Sequence, residues 1–175
     1  MKINNLSSLI YLLFNLLSLN INKQIAEKTL KYSIKKITAK ETYIVRHPVL
    51  RQGKPIESCE FDGDNLETTF HLGIFHKDKL VGISSFLLSK HPLLSQELQY
   101  QLRGMAVIKE YQNLGLGKLI LNHGENLLKK QNIEIVWCNA REKATNFYKK
   151  NDYKNIGLPF DIIDIGKHFV MYKSL

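Results

Sequence analysis

The stretch Gln112-Asn113-Leu114-Gly115-Leu116-Gly117-Lys118 stands where one hydrophobic period gives way to another. Before it, residues 100–108 alternate like a strand, but with a slip: Tyr100 and Leu102 share one parity, Met105 and Val107 the other. A parity change at Arg103-Gly104 is what a β-bulge produces, since one extra residue turns every later side chain to the opposite face. After it, Leu116, Leu119, Ile120, His123 and Leu127 recur at helical spacing and predict a helix over 114–130 that buries them. A strand, a glycine loop and a helix start together make an anion site. Glycine lets the backbone approach a ligand closely. The helix start offers free N–H groups at the positive end of its dipole, and successive N–H groups in such a turn form a nest. Lys118 adds charge, so the chemistry implied is binding of a phosphate or pyrophosphate. A nucleotide-hydrolysing loop would need glycine where Gln112 stands and Ser or Thr where Leu119 stands. A dinucleotide fingerprint would need glycine or alanine at Ile120. The plainer alternative is that both glycines only shape a turn or pack a helix.

Working outward, Tyr32–Ile37 reads as a first strand, and Thr38 with Glu41 three residues later as a capping box opening a helix. That helix should falter at His47-Pro48. Residues 51–65, with Gly53, Pro55 and Gly63, read as loop; residues 68–76 and 80–88 read as two strands joined at Lys77-Asp78-Lys79, and 91–97 as a connection. Downstream, residues 133–138 form an apolar run suited to a strand buried on both faces. Residues 140–150 predict a second helix with Asn139 and Glu142 as its cap, and 153–156 and 169–172 predict two late strands. The order is mixed α/β.

Composition narrows the function. The chain has 175 residues, 44% hydrophobic and 23% charged, enough for one globular domain with a core. Cys59 and Cys138 form no C-x-x-C pair and no zinc spacing, so no metal and no disulfide framework is expected, and a reducing, cytoplasmic setting is. A formal net charge of +9 favours an anionic partner, but the basic residues are scattered and no nucleic-acid motif appears, so no nucleic acid is expected. Residues 3–22 differ from the rest: they carry no charge, and Leu6, Leu9, Ile10, Leu13, Leu16 and Leu17 recur at helical spacing. Five Asn and three Ser weaken a membrane anchor. A secretory signal would want a more basic start and a small-residue cleavage site. Residues 1–30 are therefore expected to be an extension to a domain over 31–175, with the membrane a partner only if 3–22 are a genuine anchor.

Taken in order, four segments resemble the GNAT acetyltransferases. Gln112-x-x-Gly115-x-Gly117 resembles their signature; Leu102-Arg103-Gly104-Met105-Ala106-Val107 resembles their bulged fourth strand. Cys138-Asn139-Ala140-Arg141 with Ala144 and Phe147-Tyr148-Lys149-Lys150 resembles their second cofactor segment, and Phe160, Ile165-Gly166, His168 and Met171 resemble a subgroup of small bacterial members. Two departures stand out: Asn151-Asp152-Tyr153 replaces a small residue, glycine and an aromatic, and residues 1–30 are foreign to the pattern. The resemblance implies a central mixed, mostly antiparallel sheet of about six or seven strands flanked by helices and splayed between strands four and five. It implies transfer of an acetyl group from acetyl-CoA to a primary amine, small or on a protein, by direct attack in a ternary complex.

By matching position, the N–H groups of Asn113, Leu114, Gly115, Leu116, Gly117 and Lys118 would hold the pyrophosphate, and the backbone of Met105, Ala106 and Val107 the pantetheine amides; Gln112 is a further cofactor-binding candidate. Tyr148 is the candidate general acid, with core packing as the alternative reading. Asn139 is a candidate pantetheine contact, with helix capping as its alternative. The general base is sought among Glu57, Glu60, His71 and His168, though each taken singly reads first as a surface charge or structural histidine. Cys138 reads as inert packing. The rival functions are an acyl-CoA-binding sensor without turnover and a membrane-anchored interaction protein. A second copy of the chain is a further candidate partner.

Overall fold

The computed structural model describes residues 8–19 and 31–175. Residues 8–19 are helical, and no described helix is long and apolar enough to cross a membrane. The expected domain boundary at residue 30 falls outside the described residues. The chain divides into two units, Met1–Ser33 and Ile34–Leu175, and the second holds the hydrophobic core.

Strand β1 (Tyr32–Ile37) ends at the expected capping box. The Glu41 N–H donates to Thr38 Oγ1 at 3.2 Å, and the Thr38 N–H donates back to Glu41 Oε2 at 2.7 Å. One 3-10 turn leads into helix α1 (Tyr43–Leu50). The expected break at His47-Pro48 does not occur: the helix passes Pro48 and stops at Arg51. Proline removes a single donor here, and the ladder closes beyond it, the Arg51 N–H reaching the carbonyls of Arg46 (3.1 Å) and His47 (3.2 Å).

Strands β2 (Phe70–His76) and β3 (Lys79–Leu88) form an antiparallel hairpin, and β3 pairs with β4 (Gln99–Val107). The bulge lies where the parity slip predicts it. Ser85 pairs with Arg103 and Ile83 with Ala106, so Gly104 and Met105 together oppose Ser84. Gly104 has φ +59, and a Cβ there would stand 2.9 Å from Arg46 Nε. Left-handed backbone and lack of space both require glycine.

A loop leads to helix α2 (Leu116–Lys129). Its buried face is Leu116, Ile120, Leu121, Gly124, Glu125 and Leu128, which corrects the expected one: Leu119 and Leu127 lie half-buried on its flank and His123 is exposed. The helix turns to seat Gly124 on Phe86, where a Cβ would meet the ring at 2.1 Å. Glu125 joins the inner face because Lys173 Nζ (2.6 Å) neutralises it there and Tyr153 Oη (2.9 Å) donates a hydrogen bond to it.

Strand β5 (Ile135–Arg141) runs three residues beyond its expected end. Asn139 is therefore a strand residue paired with Val170, and the expected cap of Asn139 with Glu142 does not form. A 3-10 turn (Glu142–Ala144) and a short helix α3 (Thr145–Lys149) replace the single helix expected over 140–150. Strands β6 (Lys154–Asn155), β7 (Phe160–Ile162) and β8 (Gly166–Ser174) complete one sheet of eight, ordered β1-β2-β3-β4-β5-β8-β6 with β7 on β8. The extra strand is β7, three residues whose identity comes only from pairing with β8.

Helices α1 and α2 lie on opposite faces of this sheet. Arg46 of α1 donates to Ser85 Oγ and Val45 packs with Ile83, both of one parity in β3. Gly124 of α2 meets Phe86, of the other parity. Sequence parity thus fixes which helix each strand side chain faces.

Candidate active site

Strands β4 and β5 are parallel neighbours, but they pair only at Gln99 with Ile135, Tyr100 with Val136 and Gln101 with Trp137. Beyond Gln101, β4 keeps only β3 and β5 keeps only β8. The sheet opens there, and a cleft of about 940 Å³ occupies the opening. The bulge at Gly104 lies on the rim, where it redirects β4 away from β5.

On the α2 face, the cleft meets the glycine loop. Asn113 (φ +60) and Gly115 (φ +72) both take left-handed backbone just before the helix. The backbone N–H groups of Asn113 through Lys118 donate to no group among the described residues. That is a row of unsatisfied donors at a helix start, with Lys118 beside it. Gln112 ties the loop down, its Nε2 donating to the Val107 carbonyl at 2.9 Å. Gly117 serves packing: a Cβ there would press on Phe147 at 3.3 Å and Met105 at 3.4 Å.

Tyr148 of α3 reaches the gap from the same face. The ring is buried edge-on to Phe147 (5.2 Å) and Tyr153 (5.3 Å). Its hydroxyl lies 3.9 Å from Met105 Sδ and beside the Cys138 thiol. Burial, then the neighbouring Cys138, pushes the phenol pKa well above its ordinary value. Burial does the same to Cys138, which stays a thiol.

On the α1 face, the cleft is walled by Leu50 and Arg51, by Phe61 of the loop over 51–65, by Arg103, and by Arg141, Ile162, Ile165 and His168. Arg141 and His168 are register partners on β5 and β8, so their side chains leave the same face. His168 Nδ1 lies 2.7 Å from the Gly166 carbonyl. A carbonyl only accepts, so Nδ1 carries the proton, and in the neutral ring Nε2 holds a free lone pair.

The arrangement is an anion-binding loop on one face, an opened strand edge in the middle, and a histidine with an available nitrogen on the other. The GNAT acetyltransferase family model matches residues 32–153. The chain belongs to this family. As a GNAT protein it is 41% identical over 142 residues to the uncharacterized N-acetyltransferase YitI of Bacillus subtilis, covering 81% of this chain and 95% of that one. Among solved structures it resembles an aminoglycoside 6'-N-acetyltransferase complexed with coenzyme A (TM-score 0.65, 13% identity, 81% of this chain and 96% of that one). It also resembles ElaA of Escherichia coli (TM-score 0.65, 14% identity, 81% and 99%). At those identities the likeness to solved structures is one of fold. Family and relatives make this GNAT protein an acetyl-transferring enzyme.

The GNAT cleft gathers most residues singled out in the sequence. Met105, Ala106, Val107, Gln112, Asn113, Gly115, Leu116, Gly117, Lys118, Asn139, Tyr148 and His168 all line it. Leu114 does not; its side chain is exposed, leaving only its N–H to contribute. Of the four base candidates, three lie elsewhere. Glu57 and Glu60 are exposed and off the cleft. His71 is a buried residue of β2, with Nδ1 2.7 Å from Ser85 Oγ and Nε2 2.9 Å from the Asp64 carbonyl. Sequence reasoning passed over Arg51, Phe61 and, as a charge, Arg141. Nothing local marks them; the end of α1, a loop and the end of β5 bring them together.

Proposed function

We propose that this GNAT enzyme transfers the acetyl group of acetyl-CoA to a primary amine by direct attack within a ternary complex. The observation carrying this reading is the row of unpartnered N–H groups from Asn113 to Lys118 opening into the gap between β4 and β5. The row suits a pyrophosphate, and the free edge of β4 over Met105 to Val107 suits pantetheine amides bound like an added strand. Asn139 lines the opposite wall. The thioester would then sit at the gap, with Tyr148 on the donor side and His168 on the acceptor side.

The steps balance without a covalent enzyme intermediate. The amine nitrogen bonds to the thioester carbonyl carbon, and His168 Nε2 takes the proton that nitrogen sheds, directly or through one water. The C–S bond breaks and Tyr148 Oη donates its proton to the departing thiolate. The raised phenol pKa keeps that proton in place at neutral pH until a strong base forms beside it. Cys138, protonated and buried, takes no part.

The test is calorimetric titration of the full chain with acetyl-CoA, beside Gly117→Glu, with thiol release measured over a panel of amines. Binding to the parent, loss in Gly117→Glu, and thiol release with at least one amine are expected. Binding without release from any amine would make the protein an acyl-CoA-binding domain. No binding to a folded parent would overturn the reading altogether.

A further inference from the structure

The cleft is lined by Arg51, Arg103, Arg141, Lys118, Lys143 and Lys150, and by no carboxylate among the described residues. These cations do not all serve one end. Lys118 follows the glycine loop on the α2 face. Arg141 points the other way: its Nη2 donates to the Leu50 carbonyl of α1 at 3.4 Å. Arg51 donates to the same carbonyl from Nη1 (3.1 Å) and to the Ser58 carbonyl from Nε (3.0 Å). The two guanidinium groups therefore converge on one backbone oxygen, on the face remote from the phosphate loop.

The arginines nearby are neutralised and these two are not. Arg46 and Arg103 both pair with Asp64, whose carboxylate lies almost wholly out of solvent. Arg51 and Arg141 have no carboxylate partner among the described residues, and both are half-buried. Burial, and then the charge of Arg51, lowers the Arg141 pKa. Two like charges are thus held together with only carbonyl oxygens and, for Arg51, the face of the Phe61 ring 4.9 Å away to offset them. An anion placed between them removes that repulsion and meets two planar donor forks. Arg141 is also the register partner of His168, so an anion held at Arg141 keeps the rest of its molecule beside the free Nε2.

We propose that the acceptor is a small primary amine bearing a carboxylate or phosphate, held by Arg51 and Arg141 with its amino group toward His168. The proposal rests on the acyl-transfer reading above. It excludes polyamines and other polycations as preferred acceptors, since a second ammonium would face two arginines with no carboxylate among the residues lining the cleft.

The test pairs amines of equal carbon number and differing charge: β-alanine against 1,3-diaminopropane and O-phosphoethanolamine against ethanolamine, with acetyl-CoA saturating. At least one anionic amine should show kcat/KM ten-fold or more above its counterparts. Arg141→Gln should raise the KM for that amine about ten-fold while leaving the affinity for acetyl-CoA unchanged. Arg141→Glu should reverse the preference toward the diamine. A parallel NMR titration follows the arginine Nε–H signals of the CoA-loaded protein with O-phosphoethanolamine and with ethanolamine, signals being assigned through Arg51→Gln and Arg141→Gln. Movement of the Arg51 and Arg141 signals with the phosphate compound alone supports the anion site even if no amine turns over, an outcome that would sink only the transfer reading. Faster turnover of the diamine, or arginine signals indifferent to both compounds, would overturn the proposal.

Discussion

Asp64 lies between the guanidinium groups of Arg46 and Arg103, accepts the Phe61 N–H at 3.1 Å, and has 1% of its side chain exposed. Burial alone would raise its pKa, but hydrogen bonds and charge from Arg46, then Phe61 and Arg103, outweigh it and hold the carboxyl below its ordinary value. Its contribution to stability is therefore complete above the unfolded carboxyl's pKa of about 3.9 and is lost as pH falls through the lower folded value. His71 acts earlier on the same descent. Burial lowers its pKa, so below roughly pH 6.5 the unfolded chain takes up a proton that the folded one refuses. Denaturant midpoints measured against pH should fall in two stages, and His71→Gln should remove only the upper one. Asp64→Asn should cost about 3–5 kcal/mol near neutrality, because Arg46, fully buried, loses its counter-charge. In the cleft, Tyr148→Phe should lower kcat at least ~10²-fold with acetyl-CoA affinity unchanged, since a general acid contributes about that much. A kcat left unchanged in Tyr148→Phe would mean that the ring only packs.

Element by element, local pairs were legible and convergent ones were not. The capping box of Thr38 and Glu41 shows as two residues three apart, and the bulge at Gly104 as a parity slip, because both are written within one short segment. The rotation of α2 was hidden. It depends on Phe86, thirty-eight residues upstream, which needs a glycine opposite its ring. Glu125 is missing from the expected buried face because its partners, Tyr153 and Lys173, come later in the chain. The same holds at the site: the glycine loop is contiguous, whereas Arg51 and Arg141 meet only through folding. A helical Gly→Ala change ordinarily stabilises by about 1 kcal/mol. Gly124→Ala should instead destabilise by roughly 1–3 kcal/mol through overpacking, seen in chemical denaturation, and Phe86→Leu in the same chain should recover part of the loss. A stabilised Gly124→Ala would show that the ring moves aside freely.

At the scale of the whole molecule, a net charge of +9 and a cleft lined by six cations belong together. The affinity for acetyl-CoA should weaken as salt rises from 50 to 500 mM, more steeply than for a GNAT protein with acids in its cleft, because the Debye length shrinks from about 14 Å toward 4 Å. The opened sheet makes this field directional. Protein lies on both sides of the gap, and low-dielectric walls focus the potential along it rather than spreading it over the surface. The cleft reaches from the glycine loop on the α2 face to Leu50 and Arg51 on the α1 face, so the field draws anions toward both ends of the gap. For the anionic amine proposed above, the acetylated product, stripped of its ammonium charge but keeping its anion, would be held more tightly by the cleft than the substrate. Escape of that product would then set the pace of turnover at low ionic strength, and an early burst of thiol should reveal it.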